Sequence, residues 1–598
     1  MNKNYTIEDF LEIKSSYAAI FNYDATKVAY LSNTSGTAQL YLTNPKGDEV
    51  GQLTAYPDSL NGIAFSPVRN EIIFTKCENG DEKYQIFLLD IETKSVRQIT
   101  NTPSAQYRFN GWSRDGRYIT YSSNKRNGKD FDVYVMDVVT ETEECIFEQG
   151  GACGSRGFSP LGNFVVVSKT YSTEKSDVFL VRIKNKLAEQ ITKGDEKSNI
   201  GNIKWLPDES GFFFTTDKDR DFNGLAFYDL STKSERYILT PNWDIFGVSI
   251  THDGNHMLVI INEDGYLKIT IYQTNDMKPL PQQDFPKGVV TGYDWSIDGK
   301  HLIFRLGNAG KNGEIFIWSK EENKYWSIIK AEQGVPEQML VEPELIRYKS
   351  FDGLMIPAFL YLPKNISHQS KFPVVVDIHG GPAAQSLPLL DSLTQYLVYC
   401  GYAVISPNVR GSTGYGKRYT ALDDVRKRMD SVKDIAELHK FIKQQENLDA
   451  EKVILWGGSY GGYMVLAGLT FFPKLWAGGI DEVGISNLVS FLENTAPYRR
   501  AIREAEYGSL EHDREFLASL SPINFAENIE APLFIIHGAN DPRVPLSEAE
   551  QMHTKILAKG GRSELLVYPD EGHGLSKLKN RIDAYTKATN FLKSVTGM

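Results

Sequence analysis

The chain has little cysteine: four residues in 598. Cys77, Cys145, Cys153 and Cys400 show neither CxxC spacing nor a dense framework, which argues against a disulfide scaffold and a thiolate metal site. No run of about 18 apolar residues occurs, so no transmembrane helix and no membrane partner are expected. The opening MNKNYTIEDFLEIK has no apolar h-region and no small-residue cleavage site, so no secretory signal is read there. Positive charge is in deficit, with Lys+Arg at 65 against Asp+Glu at 76 and a net charge of -11. A nucleic-acid ligand would need clustered Lys and Arg, so none is expected. Together these absences point to a cytoplasmic protein.

What is present in quantity is aromatic residue, with 31 Tyr and 31 Phe, which favours β structure. The length exceeds what one hydrophobic core serves, so more than one domain is expected. The first half repeats. An aromatic or aliphatic anchor, a polar turn and an apolar run recur as FNYDATKVAY, FSPVRNEIIF, WSRDGRYITY, FSPLGNFVVV, WLPDESGFFF, ITHDGNHMLV and WSIDGKHLIF. The anchors Phe21, Phe65, Trp112, Phe158, Trp205, Ile250 and Trp295 are separated by roughly 44 to 47 residues, the period of a four-stranded propeller blade. Apolar segments such as YQIFLLD and FDVYVMD follow them, and D-G dipeptides supply hairpin turns. A seven-bladed β-propeller is expected over residues 15–333. Before it, residues 1–14 hold a short helix, TIEDFLEI, with Thr6 as N-cap and Asp9 at the N3 position.

From residue 334 the pattern changes to strand–helix alternation. FPVVVDI, YAVISP, KVILW, PLFIIH and SELLVY read as buried parallel strands. SVKDIAELHKFIKQQ places Ile435, Leu438, Phe441 and Ile442 on one helix face. A doubly wound, mostly parallel α/β domain is expected over 334–598.

Within it, GGSYGG holds G-x-S-x-G at Gly457, Ser459 and Gly461 between the strand VILW and the helix YMVLAGLT. That setting is a nucleophile elbow, in which a strained turn lifts the serine hydroxyl above the sheet. Gly457 and Gly461 are expected to let strand and helix approach, and Gly458 and Gly462 to keep the same crossing uncrowded. A serine hydroxyl needs a base. Of ten histidines, His573 in YPDEGHGL lies just beyond a strand and can reach the elbow. His439 and His553 fall in helical patterns. His252 and His256 lack a third metal ligand and read as a solvated turn, so neither a metal nor a cofactor is expected. Asp541, at the rigid end of the strand PLFIIH, is the better carboxylate to orient the base, although Asp570 and Glu571 are nearer in sequence. The chain order Ser459, Asp541, His573 is that of α/β-hydrolases. Oxyanion donors are expected from the N–H of Tyr460 and from the HGGP loop at Gly380 and Gly381.

A seven-bladed propeller joined to an α/β-hydrolase carrying HGGP, NVRGSTGYG, GGSYGG, HGANDPRVP and DEGHG resembles the prolyl oligopeptidase family of serine peptidases, nearest its bacterial acylaminoacyl-peptidase-like branch. The resemblance covers essentially the whole chain. It implies hydrolysis of short peptides, with Ser459, Asp541 and His573 as the triad and Gly381 and Tyr460 as oxyanion donors. It also implies that Arg543 binds a substrate carbonyl and that the propeller filters substrates by size. The S1 pocket is expected to draw on Ile485, Leu488 and Phe491 in EVGISNLVSFLENT. Two features depart from the family. The Glu143–Glu144 and Glu321–Glu322 pairs sit in strand–turn contexts, which does not support anchoring of a dipeptide amine. His379 stands where prolyl oligopeptidase proper has an aromatic residue, which argues against strict cleavage after proline. An esterase or amidase of the same fold is the alternative activity. An exposed edge strand of the hydrolase could pair subunits into a homo-oligomer.

Overall fold

The computed structural model describes residues 4–192, 197–281, 284–332, 334–364 and 371–598. The boundary expected at residue 333 falls outside them. Seven antiparallel sheets occupy the first half, each built from consecutive strands, from Ser16–Phe21 in the first to Lys324–Ile329 in the last. Each repeat anchor ends or closely follows an innermost strand. Six sheets have four strands. The sixth has three, Asp244–Ile250, His256–Glu263 and Tyr266–Gln273. Among the described residues its outer edge pairs through a bridge between Tyr272 and Pro279 and through bonds from Gln273 N–H to the Lys278 carbonyl and from Leu280 N–H to the Ile271 carbonyl.

Every innermost strand has a register shift near its middle. Glycines recur there as Gly62, Gly111, Gly157, Gly201, Gly247 and Gly292, the signature of a bulge in a strand. This second repeat is also written in the sequence. The ring closes without exchanging a strand. Phe21, Val28 and Tyr30 of the first blade pack against Ile303, Ile315 and Ile317 of the last. Asp294 accepts a hydrogen bond from the Phe21 N–H at 3.1 Å.

The helix Ile7–Leu11 precedes the ring. Thr6 and Asp9 form its capping box, as expected. Its buried face packs Phe10 against Tyr396 of the second domain, with ring centroids 5.5 Å apart.

The second domain is an eight-stranded sheet. In spatial order its strands are Glu344–Lys349, Met355–Tyr361, Ala403–Pro407, Phe372–Ile378, Leu448–Gly458, Gly478–Glu482, Leu533–Gly538 and Ser563–Tyr568. The first two joins are antiparallel and the rest parallel. Side chains alternate between the faces. Val374, Val376 and Leu455 join a core with Val432, Ile435 and Leu438 of the helix Arg428–Gln444 and Met464 of the helix Tyr460–Phe471. Val375 and Ile454 turn the other way, onto Leu397 and Phe591. The parallel strands thus present their C-terminal ends along one edge, where loops bearing function are expected in such sheets. No helix among the described residues is long and apolar enough to cross a membrane.

Candidate active site

The strand Leu448–Gly458 runs straight into Ser459, whose φ of 58° and ψ of -115° are strained for any residue with a side chain. The Ser459 N–H donates to the Glu482 carbonyl at 2.8 Å, which fixes the turn to the neighbouring strand. The helix Tyr460–Phe471 follows immediately. A Cβ on Gly457 would lie 2.5 Å from the Gly461 carbonyl carbon, and one on Gly461 would lie 2.0 Å from the Ile378 carbonyl oxygen. Both positions therefore require glycine. The other two glycines differ from the expectation. Gly462 makes room for the carboxyl of Asp481, whose Oδ1 would be 2.3 Å from an added Cβ. Gly458 has only ordinary contacts, the nearest at 3.8 Å, so it does not relieve the crossing.

His573 follows the strand Ser563–Tyr568, and its Nδ1 is 2.6 Å from Asp541 Oδ2. The Asp541 side chain has no solvent exposure and that of His573 has 9%. The other Asp541 oxygen, Oδ1, accepts from the backbone N–H groups of Arg543 at 2.8 Å and Val544 at 3.0 Å. The carboxylate is thus held on both sides, with one face directed to the imidazole. Asp570 and Glu571 have other tasks. Burial disfavours charge on Asp570, yet Lys577, Asn580 and Lys579 hold its carboxyl down at about 2. Buried Glu571 accepts from Ser576, Lys577 and Asn580 and so ties the loop after His573 to the last helix.

His537 was not anticipated. It is fully buried on the strand leading to Asp541, with Nε2 donating to the Val544 carbonyl at 3.0 Å and lying 3.7 Å from Asp541 Oδ2. Burial lowers its pKa and keeps the ring neutral. The signal was its spacing of four residues from Asp541.

The HGGP loop passes directly over the nucleophile. A Cβ on Gly380 would lie 3.1 Å from the Gly458 carbonyl oxygen and 3.4 Å from Ser459 Cβ. Gly381 has φ of 136°, and its carbonyl accepts from Arg503 Nη1 at 3.2 Å. His379 spans the Gly380 carbonyl at 2.8 Å and Ser412 Oγ at 2.9 Å. Tyr460 opens its helix, where backbone N–H groups have no intrahelical acceptor. Its side chain points into the core. The hydroxyl is 2.8 Å from Ser431 Oγ and 3.2 Å from Asp423 Oδ2, and Asp423 is ion-paired with fully buried Arg428.

The propeller meets these loops through its second blade. The hairpin turn at residues 79–82 packs Gly80 on Gly572, next to His573. Asn540 donates to the Asn79 carbonyl at 3.1 Å, and Lys577 pairs with Asp58 at 3.3 Å. Glu82 binds Arg543 Nε at 2.5 Å and is 3.4 Å from the Tyr498 hydroxyl. Ile485, Leu488 and Phe491 lie in the hydrophobic core cluster with Tyr460 and Tyr507, and Leu488 has no exposure. Ile485 and Phe491 are nearly as buried as Leu488, so the three sit in the core rather than lining an open pocket. Glu143 bonds Tyr121 and Lys125, and Glu321 pairs with Lys300 at 2.9 Å, so both carboxylates are engaged within the propeller.

Residues 389–598 match the model of the prolyl oligopeptidase family, and residues 55–321 match its N-terminal β-propeller domain. The chain is 29% identical over 436 residues to dipeptidyl peptidase family member 6 of Caenorhabditis elegans, covering 67% of this chain and 58% of that one. It is 24% identical over 566 residues to dipeptidyl aminopeptidase BIII of Pseudoxanthomonas mexicana, covering 90% and 81%. Among solved structures, a puromycin-hydrolyzing peptidase of Mycobacterium tuberculosis superposes with a TM-score of 0.88 at 16% identity, over 100% of this chain and 97% of that one.

Proposed function

The chain belongs to the prolyl oligopeptidase family of serine peptidases, and on that premise we propose that it hydrolyses short peptides through an acyl-enzyme formed on Ser459. The observation that carries the proposal is the pairing of Asp541 with His573 at 2.6 Å, in the same sheet that holds Ser459 at a strained φ of 58°. All three residues follow the C-terminal ends of strands in one sheet.

In this reading Ser459 Oγ attacks the scissile carbonyl while His573 Nε2 takes its proton. Asp541 fixes the tautomer by accepting from Nδ1 and stabilises the imidazolium. The N–H groups of Gly381 and Tyr460 receive the oxyanion. His573 then protonates the leaving amine, and water hydrolyses the ester by the same groups. Arg543 has its Nε on Glu82, which leaves its terminal nitrogens for a substrate carbonyl. The propeller's contact with the His573 loop supports a role in admitting short chains and excluding folded proteins.

Two measurements test this. A fluorophosphonate probe should label the protein, and Ser459→Ala should abolish labelling. Mass spectrometry of a peptide library with free and acetylated N-termini should show cleavage products. Labelling without cleavage of any peptide would favour the esterase or amidase reading.

A further inference from the structure

The helix Pro497–Tyr507 carries a cation, Arg499, that forms no ion pair among the described residues. Thr495 Oγ1 donates to the Arg543 carbonyl at 2.8 Å, and the Ala496 N–H donates to the Pro542 carbonyl at 3.1 Å. The start of the helix is therefore fastened to the segment that follows Asp541. Arg499 and Arg503 are four residues apart and share one face. Arg503 reaches the HGGP loop through the Gly381 carbonyl, so this face is turned to the site.

Three arginines converge here from two elements, and two of them have acids. Arg503 pairs with Glu506 at 2.5 Å, and Arg543 pairs with Glu82 at 2.5 Å. Arg499 has neither an ion-pair nor a side-chain hydrogen-bond partner among the described residues, and its Nε is shut off from solvent without an acceptor. Desolvation, Arg503 and Arg543 lower its pKa to about 10, with Tyr498 and the Glu82 carboxylate offsetting only part of that shift. Arg108, the fourth cation nearby, stacks on Phe131 at 3.9 Å and adds no negative charge. An unpaired guanidinium in a partly desolvated place among like charges is unfavourable, and an incoming anion would relieve it. In a chain of net charge -11 this is a local reversal of sign beside the candidate nucleophile.

We infer that Arg499 is a binding residue for a carboxylate on the peptide substrate, set near the scissile bond on the face it shares with Arg503. The planar guanidinium suits a carboxylate in a bidentate pair. This rests on reading the cleft as a peptide site. The carboxylate is either an acidic side chain or the free C-terminus of a very short peptide, and both present the same group.

The test is equilibrium binding by calorimetry to the full-length Ser459→Ala protein, which does not turn over its ligand. The probes are alanine tetrapeptides with one Glu or one Gln at each position in turn, with free or amidated C-termini. A preference of roughly tenfold to a hundredfold for Glu over Gln at one position is expected, falling as salt is raised. The same preference for free over amidated termini would assign the α-carboxylate instead. Arg499→Gln in the same background should bring the ratio to about one, and Arg499→Lys should keep part of it. Ratios near one in the parent protein, or a preference that survives Arg499→Gln, would overturn the inference. The parent ratio and its salt dependence decide the matter even if Arg499→Gln does not fold. Because the readout is binding, an intact Ser459 enzyme that cleaves no peptide would sink the proposed activity without altering these ratios.

Discussion

Gly80 of the propeller and Gly572 of the hydrolase touch backbone to backbone. A Cβ on Gly80 would lie 2.3 Å from the Gly572 nitrogen, and one on Gly572 would lie 2.0 Å from the Gly80 carbonyl oxygen. Gly572 immediately precedes His573, so the catalytic base of the proposed mechanism stands on a loop shaped partly by another domain. Gly80→Ala should therefore lower kcat/KM by about tenfold or more, since small misplacements near the chemistry are costly. Gly128→Ala is the control. Gly128 has a similar φ of 73° but nothing within 4 Å of an added Cβ. Equal activities of the two variants would show that the contact does not matter.

Ser459→Ala should reduce kcat on a peptide amide by roughly 10⁴-fold or more, and Asp541→Asn by about 10⁴-fold, with the fold intact by circular dichroism. Asp570→Asn should behave differently. It releases Lys577 and Asn580 rather than the imidazole, so thermal stability should fall while kcat changes little. If Asp570→Asn were as inactive as Asp541→Asn, the assignment of the orienting acid would be wrong.

Tyr460 has two separable roles. Its backbone N–H is the proposed oxyanion donor, and its hydroxyl bonds Ser431 and Asp423 in the core. Tyr460→Phe should cost about 1–3 kcal/mol in denaturant unfolding, because Asp423 loses a buried partner. Its kcat should stay within a fewfold of the parent. A large loss of kcat without loss of stability would place the hydroxyl itself in the chemistry.

Acids buried beneath the elbow make stability depend on pH. Burial raises Asp481 to about 8, and burial raises Glu482 and Asp377 to about 7. In the unfolded chain these groups lose their protons near pH 4. Between about pH 4 and 8 the folded state binds more protons than the unfolded, so stability falls as pH rises through that window. Asp481→Asn keeps the shape and removes the charge. It should melt above the parent at pH 9 and no higher than the parent at pH 5, in scans at one heating rate. A parent that grows more stable from pH 5 to 8 relative to the variant would contradict this.

The architecture was legible because both domains write it in period. The anchors from Phe21 to Trp295 mark the blades, and glycine at 457 and 461 marks the elbow. His573 and Asp541 were legible for a related reason, since each sits just past an apolar strand. What escaped depends on contacts between distant segments. Nothing local in DEGHG shows that Gly572 lies against Gly80, or that Glu82 meets Arg543. Ile485, Leu488 and Phe491 have the composition of a pocket wall, and composition alone does not separate a wall from the core behind it.

The propeller's two ends leave it side by side. The Lys14 N–H donates to the Glu332 carbonyl at 3.3 Å where the chain enters and leaves the ring, and the helix before Lys14 is clamped on Tyr396 of the hydrolase. With no strand exchanged between the first and last blades, the seam is the one place where ring closure depends on residues some 300 positions apart in sequence. The hydrolase therefore acts as the buckle of a belt. The segment that enters the ring and the one that leaves it share a single buried cluster with Tyr396 of the hydrolase, through Phe10 on one side and Val335 on the other.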